Sequence, residues 1–143
     1  MKIIKNKILF YLLSFTWGLP MTIIGYIAAG ALLATKHKPQ RWGHCYYFEV
    51  GKGWSGVSLG PIFIVSKDAS SYTKNHEAGH SQQNCMWGIL FPFVIAIPSF
   101  IRYWYREIRS RIGKPCTTGY YDIWFEKGAS DIGIQFMDWY NNN

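Results

Sequence analysis

The sequence predicts an α+β fold in which two apolar segments flank a small sheet and a helix that carries a metal-binding motif. Residues 8–35 and 86–100 contain no Asp, Glu, Lys or Arg. Between them, residues 46–65 hold short runs of β-branched and aromatic residues separated by glycine turns, which is the pattern of short strands. Residues 76–80 read H-E-A-G-H. Its two histidines are four positions apart and therefore share one face of a helix.

Residues 1–35 are predicted to form an N-terminal membrane anchor, a transmembrane helix. The uncharged run at 8–35 is long enough to cross a bilayer, since about 20 helical residues suffice. Three lysines precede it, namely Lys2, Lys5 and Lys7. A cleaved signal peptide is the rival, but its apolar region spans only about 7–15 residues. Gly18 and Pro20 should kink the helix near its middle, and a re-entrant hairpin bent at these residues is the alternative path.

Three short strands are expected next, in a small antiparallel sheet. Residues 46–50 and 57–59 predict a hairpin around the glycine turn at 51–53, and residues 62–65 predict a third strand. Because Pro61 cannot donate a hydrogen bond, we expect the third strand at a sheet edge or at a bulge. An edge strand directly before such a helix can bind extended substrate by strand addition. A plain packing hairpin is the equal alternative.

The helix with the motif should begin among residues 68–71, which supply several N-cap side chains, and continue to about Cys85. Gly79 lies in its interior, at a cost of about 1 kcal/mol in helix propensity relative to alanine. A close approach of another element would explain this glycine.

The second apolar segment, taken to residue 105, is predicted to associate with the membrane. Its uncharged part is short for a span, and Pro92 and Pro98 should break it. It can cross, dip in and return, or lie in the interface with its Trp and Tyr side chains at head-group level. Residues 106–111 then form a basic, lipid-facing exit.

The last predicted element is a helix over residues 120–133, followed by a polar tail at 141–143. After the anchor, residues 36–143 are expected to form a single domain, because they leave no room for a separate regulatory module.

The composition favours a membrane protein over a nucleic-acid-binding one. Of the 143 residues, 49% are hydrophobic and only 16% are charged. The net charge of +7 comes from Lys and Arg beside the apolar segments, as expected for flanks that face lipid head groups. We therefore expect no nucleic-acid partner. The odd number of cysteines, at unrelated spacings, indicates reduced thiols.

The H-E-A-G-H motif predicts a zinc site. On a helix, His76 and His80 lie about 40° apart around the axis and roughly 6 Å along it, so both can bind one ion. Glu77 lies on nearly the same face, where it can take a proton from a water on the ion. A catalytic zinc needs a third protein ligand. The remaining candidates in the sequence are Glu126, Asp131, Asp122 and His44.

The order of an apolar N-terminal segment, H-E-A-G-H, a second apolar segment and an E-K-G-A-S-D helix resembles the gluzincins. It looks like a minimal version of the membrane-bound CaaX prenyl protease type, and it is similar to small bacterial membrane proteins with a HEYGH-type motif. The resemblance covers about residues 55–135. It implies that residues 36–143 form a zincin-like metallopeptidase domain and that Glu126 is the third ligand.

One position departs from that family. There, an acidic residue four positions after the glutamate orients a histidine, whereas Glu126 and Asp131 are five apart, about 140° around a helix. Ser130 occupies the usual acidic position. Either Gly128 permits a local bulge that brings Asp131 to the site, or Ser130 and a water orient the histidine.

These residues predict a membrane-anchored zinc metalloendopeptidase that acts on a peptide or protein. Glu77 would be the general base, and Tyr120 or Tyr121 would donate a hydrogen bond to the oxyanion. The non-catalytic alternatives are a small membrane protein with a structural zinc site and one with no metal.

The ligand set also constrains the predicted topology. Because all three ligands must reach one ion, we expect residues near 40 and near 115 on the same side of the membrane. Basic residues flanking the soluble part favour the cytoplasmic side, and reduced cysteines agree. The predicted partners are membrane lipid and a peptide substrate.

Overall fold

The computed structural model describes residues 3–114 and 123–143, and within them the α+β class is confirmed. The helices and strands follow the order α1 (Lys7–Phe15), α2 (Leu19–Ala34), β1 (Gln40–Trp42), β2 (Cys45–Glu49), β3 (Gly56–Leu59), β4 (Ile62–Val65), α3 (Ser71–Trp87), α4 (Ile97–Arg111) and α5 (Trp124–Asn141). A 3₁₀ turn at Gly88–Leu90 and a π-helical turn at Pro92–Ala96 join α3 to α4.

The continuous N-terminal helix predicted over residues 8–35 is instead two helices, α1 and α2, that meet at 95°. The break falls at the predicted place, with Gly18 as the residue before α2 and Pro20 in its first turn, where a proline is tolerated. In the described part of the chain, a membrane-crossing length of apolar residues is not found in any single helix. Only two sharply bent pairs of helices reach that length together: α1 with α2, and α3 with α4 through the turns between them.

The sheet differs from the predicted antiparallel hairpin. Its strand order is β1-β2-β4-β3, with β2 and β4 parallel and the other neighbours antiparallel. The pairing of residues 46–50 with 57–59 is therefore wrong, and β4 lies in the interior of the sheet rather than at its edge. Pro61 costs no hydrogen bond there because it precedes the strand, and its carbonyl oxygen accepts from the Tyr46 amide at 3.2 Å. The interior strand β4 (I-F-I-V) is more apolar than the edge strand β3 (G-V-S-L). Phe63 of β4 is fully buried, whereas Val57 of β3 is 42% exposed.

Helix α3 occupies the centre of the molecule. It begins after the N-cap Ser70, as predicted, and every residue from 76 to 85 is buried. Its polar side chains are accommodated because they bond to the surrounding elements. The Gln82 amide exchanges hydrogen bonds with the backbone of Ile4 at 2.7 and 3.3 Å, and the Asn84 amide donates to the Gly18 carbonyl at 3.4 Å.

Helices α3 and α5 pack at a distance that only glycine permits. A Cβ atom at Gly79 would lie 1.7 Å from the carbonyl oxygen of Ala129, and one at Gly133 would lie 1.7 Å from the carbonyl oxygen of Asn75. The expected close approach of another element at Gly79 is therefore confirmed. This contact fixes where the first turns of α5 lie over the middle of α3.

After α3 the chain turns by 115° before the helical run over Pro92–Arg111. The bend lies between Leu90 and Pro92. Just before it, Gly88 has a positive φ of 57°, and a Cβ atom there would lie 2.0 Å from the Trp17 ring, so this position excludes a side chain. Pro98 does not break the segment, because it lies in the first turn of α4. Residues 106–111 continue α4, and α5 extends to Asn141, beyond its predicted end at residue 133.

Candidate metal centre

Helices α3 and α5 bring His76, His80 and Glu126 together in the interior. The Nε2 atoms of His76 and His80 lie 2.8 and 3.3 Å from Glu126 Oε2. All three residues are buried, and their ligand atoms lie within 4.8 Å of one another. Glu126 reaches the histidines because it lies one turn before Ala129, where α5 touches α3 at Gly79.

Hydrogen bonds at the opposite ring nitrogens hold both imidazoles. Ser130 Oγ lies 2.8 Å from His76 Nδ1, and Gln83 Oε1 lies 2.8 Å from His80 Nδ1. The Gln83 amide nitrogen donates to the Phe125 carbonyl at 2.9 Å, which fixes its oxygen as the acceptor facing His80. His80 Nδ1 therefore carries a proton, which makes Nε2 the nitrogen of this ring that would bind a metal. Without a metal, Nε2 donates to Glu126 Oε2, so binding an ion there would release that proton.

The carboxylate of Glu126 is positioned by a third group. The Ser99 hydroxyl donates a hydrogen bond to Oε1, which leaves Oε2 facing the imidazoles. Burial alone would raise the pKa of Glu126, but the hydrogen bonds from His76, His80 and Ser99 outweigh it and hold that pKa well below its ordinary range. The carboxylate is therefore ionised, as a metal ligand must be.

The residues predicted from the sequence divide into those at the centre and those away from it. Asp131 is exposed on α5, and Ser130 takes the place beside His76, directly and without the Gly128 bulge, since α5 is continuous. His44 bonds to the Lys5 carbonyl at 2.8 Å and packs on Phe136, so it belongs to a structural cluster. Three further candidates lie outside the described residues, namely Asp122, Tyr120 and Tyr121.

Two residues of the centre were not predicted from the sequence. Gln83 follows His80 by three positions, so helix spacing alone could have placed it beside the imidazole. Ser99 lies within the second apolar segment, where nothing in the local pattern distinguishes it from a residue facing lipid.

Glu77 lies beside the centre, on the wall of a cavity of about 700 Å³. It is 5% exposed and is packed under β3, where a Cβ atom at Gly56 would lie 3.1 Å from its Cγ. Burial raises the pKa of Glu77, with Glu126 adding to the rise and the two histidines opposing it. A proton acceptor of increased basicity therefore borders the same space as His80.

The cavity lies between β3 and the π-helical turn with α4, and its lining is mostly apolar. Glu77, His80 and Ser99 are among its few polar side chains. Since β3 ends the sheet in the described structure, the cavity is bordered by a strand edge on one side and by Ile95 and Phe100 on the other.

The donor set fits zinc. Two imidazole nitrogens and one carboxylate are a ligand combination of catalytic zinc sites, in which a further position stays open for water or substrate. Each ligand also has the supporting hydrogen bond that orients it in such sites. The buried cluster of His76, His80 and Glu126 could therefore hold a metal ion.

Replacing Glu126 should remove the metal, whereas replacing Asp131 should not. We expect Glu126→Gln to lower zinc affinity by more than about tenfold, because a neutral amide replaces the charged carboxylate ligand. Asp131→Asn, the matched change on the exposed side of α5, should retain wild-type affinity. Zinc content after dialysis, measured by metal analysis, distinguishes them. Equal retention by both variants would show that Glu126 is not a ligand.

Removing the acceptor for His80 should weaken zinc binding without removing a ligand. We expect Gln83→Leu to lower zinc affinity by about 10- to 100-fold, the usual effect of losing the group that orients a metal-bound histidine. Gln82→Leu is the matched control, since that buried glutamine bonds to Ile4 and not to a histidine. Competition with a chromogenic chelator measures both affinities, and equal values would refute the orienting role of Gln83.

Comparison with protein-family models, with curated proteins and with solved structures gave no match for this chain.

Proposed function

We propose that this chain is a zinc-dependent metallopeptidase. The observation that supports the proposal is the convergence of His76, His80 and Glu126 beside a buried Glu77, at the wall of a cavity large enough for part of a peptide. A bound zinc ion would supply a Lewis acid that lowers the pKa of water towards about 7 and polarises a carbonyl.

The residues of the chain have distinct roles in this hydrolysis. Glu77 accepts a proton as the oxygen of a water forms a bond to the peptide carbonyl carbon. It returns that proton to the amine as the carbon–nitrogen bond breaks, so the products are a carboxylic acid and an amine. Ser130, Gln83 and Ser99 hold the ligands in place, which keeps the centre preorganised.

The substrate is proposed to bind as an extended strand. β3 is at the end of the sheet and its residues line the cavity, so a peptide lying along this strand can form strand-like hydrogen bonds while one apolar side chain enters the cavity. This role was expected for residues 62–65 and moves to β3, because β4 is flanked by β2 and β3. Val57, exposed on β3, lies along the proposed path.

Membrane association is part of the proposal. Its support is the exposure of large apolar side chains on α1 and α2, including Ile8 at 79% and Ile27 at 69%. Surfaces of this kind mark contacts with lipid or protein. The cytoplasmic orientation of the site rests on the basic residues that flank the apolar segments and on the free thiols of Cys45 and Cys85.

A non-catalytic zinc site is the second candidate, favoured by the deep burial of the ligands. Structural zinc sites usually have four protein ligands, whereas three converge in the described residues. The test is digestion of a peptide mixture by zinc-reconstituted protein in detergent, with and without a chelator. Cleavage that the chelator stops and zinc restores supports the peptidase. Stoichiometric zinc without cleavage supports the structural site.

A further inference from the structure

Helix α4 turns its apolar face away from the protein. None of its residues is buried. At about 100° per residue, Ile97, Ile101, Trp104 and Ile108 fall on one stripe, and Ile101 and Ile108 are 61% and 56% exposed. A helix that packs on a soluble domain shows the reverse arrangement, with the apolar stripe against the core.

The opposite side of α4 faces the metal centre. Ser99 bonds to Glu126 from this side, and Tyr103 lines the cavity. Within the stripe, Ile101 and Ile108 are directed outward, whereas Ile97 and Trp104 are exposed and also line the cavity.

Basic side chains border the apolar stripe. By the same helical spacing, Arg111 lies about 20° from the stripe, beside Trp104, and Arg109 lies about 80° from its other margin, beyond Tyr105. From residue 97 to residue 114 there are five basic residues and a single acidic one, Glu107. That glutamate is only 3.9 Å from Arg111, in an exposed pair of the kind that contributes little in water.

This combination matches one kind of partner. An apolar stripe with aromatic residues and flanking arginines is typical of a helix that lies in the plane of a membrane containing anionic lipids. A second copy of the chain is disfavoured on this surface, because it would bring the same arginines against one another. We propose that α4 docks on an anionic lipid surface, with the apolar stripe in the acyl boundary and the arginines at the phosphate level.

Docking would place the entrance of the cavity at the membrane surface. Ile97, Phe100 and Trp104 of α4 line the cavity and are also exposed, and the exposed Ile24 of α2 lines it as well. A substrate would then enter from the lipid head-group layer, a consequence that rests on the proposed peptidase function. The docking itself does not depend on that function.

The test places a fluorescent label on the stripe. Ile108→Cys is labelled with an environment-sensitive dye in a Cys116→Ser background, since Cys45 and Cys85 are buried. Full-length protein carrying Glu77→Gln is mixed with phosphatidylcholine vesicles, with or without phosphatidylserine, that contain brominated lipids as quenchers. Ile134→Cys is the matched control, an exposed isoleucine on the charged side of α5 near Asp131 and Asp138. Circular dichroism confirms that both labelled proteins are folded.

We expect quenching at position 108 with phosphatidylserine vesicles, much less with neutral vesicles, and none at position 134. Replacing both Arg109 and Arg111 with Gln should weaken binding to phosphatidylserine vesicles about 25-fold, or about fivefold for each arginine. High salt should also weaken this binding, because it screens the attraction between arginines and lipid. Equal quenching by neutral and anionic vesicles, or none at position 108, would overturn the proposal. So would disulfide cross-linking between two copies of the unlabelled Ile108→Cys protein without lipid quenching of the labelled one. Because Glu77→Gln removes the proposed general base, failure of the peptidase function leaves these outcomes unchanged.

Discussion

Replacing Glu77 with Gln should abolish peptide hydrolysis while the protein keeps its zinc. The amide has nearly the same shape as the carboxylate but cannot accept the proton of the attacking water. Loss of a general base typically costs 10²–10⁴-fold in rate, and we expect a decrease of about 1,000-fold. The variant should keep its zinc because Glu77 is not one of the three residues whose ligand atoms converge, namely His76, His80 and Glu126.

The control for this change is Glu49→Gln, the same substitution on β2, where the side chain contacts Gln40 at 3.4 Å and is not at the centre. Cleavage rates and zinc content are measured for both variants. Wild-type cleavage by Glu77→Gln would show that another group is the base. Loss of zinc from Glu77→Gln would show that Glu77 binds the metal.

The parts of the centre that depend on local spacing could be predicted from the sequence. His76 and His80 meet because one helical turn fixes their separation, and Gln83 obeys the same spacing. Glu126 has no such relation to them along the chain, so residue spacing left it among several candidates and only the family resemblance singled it out. Ser99 approaches through the 115° turn after α3, which no local pattern encodes.

The sheet shows the same limit. Segments 46–50, 57–59 and 62–65 were identified as strands, because β-branched and aromatic runs bounded by glycine turns are local signals. The fourth strand, β1 (Gln40–Trp42), was missed because it contains no such run. The order of the strands in the sheet was not predicted. β2 pairs with β4, and β3, which lies between them along the chain, pairs with the other side of β4. The uncharged run at 8–35 likewise did not distinguish one helix from two. Both halves are apolar, and the bend depends on contacts of Trp17 and Gly18 with the distant Gly88 and Asn84.

Substituting alanine for Gly79 should destabilise the protein more than any exposed change in the same helix. The added Cβ would lie 1.7 Å from the Ala129 carbonyl oxygen, so α3 and α5 would have to separate by roughly 1.5 Å or more to restore ordinary contact. Forced overpacking of this kind costs about 3 kcal/mol. That cost exceeds the about 1 kcal/mol that alanine gains over glycine in helix propensity. Gly133→Ala should behave in the same way, because it meets the Asn75 carbonyl oxygen at the same distance.

The sign of the change in unfolding free energy distinguishes a packing effect from an effect of helix propensity. Gly30→Ala is the matched control, since it lies inside α2 and the added Cβ would have no atom of another element within 4 Å. This change should raise the free energy of unfolding by up to about 1 kcal/mol. Denaturant unfolding in detergent measures the three variants against wild type. Zinc affinity should fall in Gly79→Ala and not in Gly30→Ala, because moving α5 away withdraws Glu126 from the histidines. A Gly79→Ala protein as stable as wild type would refute the close helix contact on which the geometry of the metal centre depends.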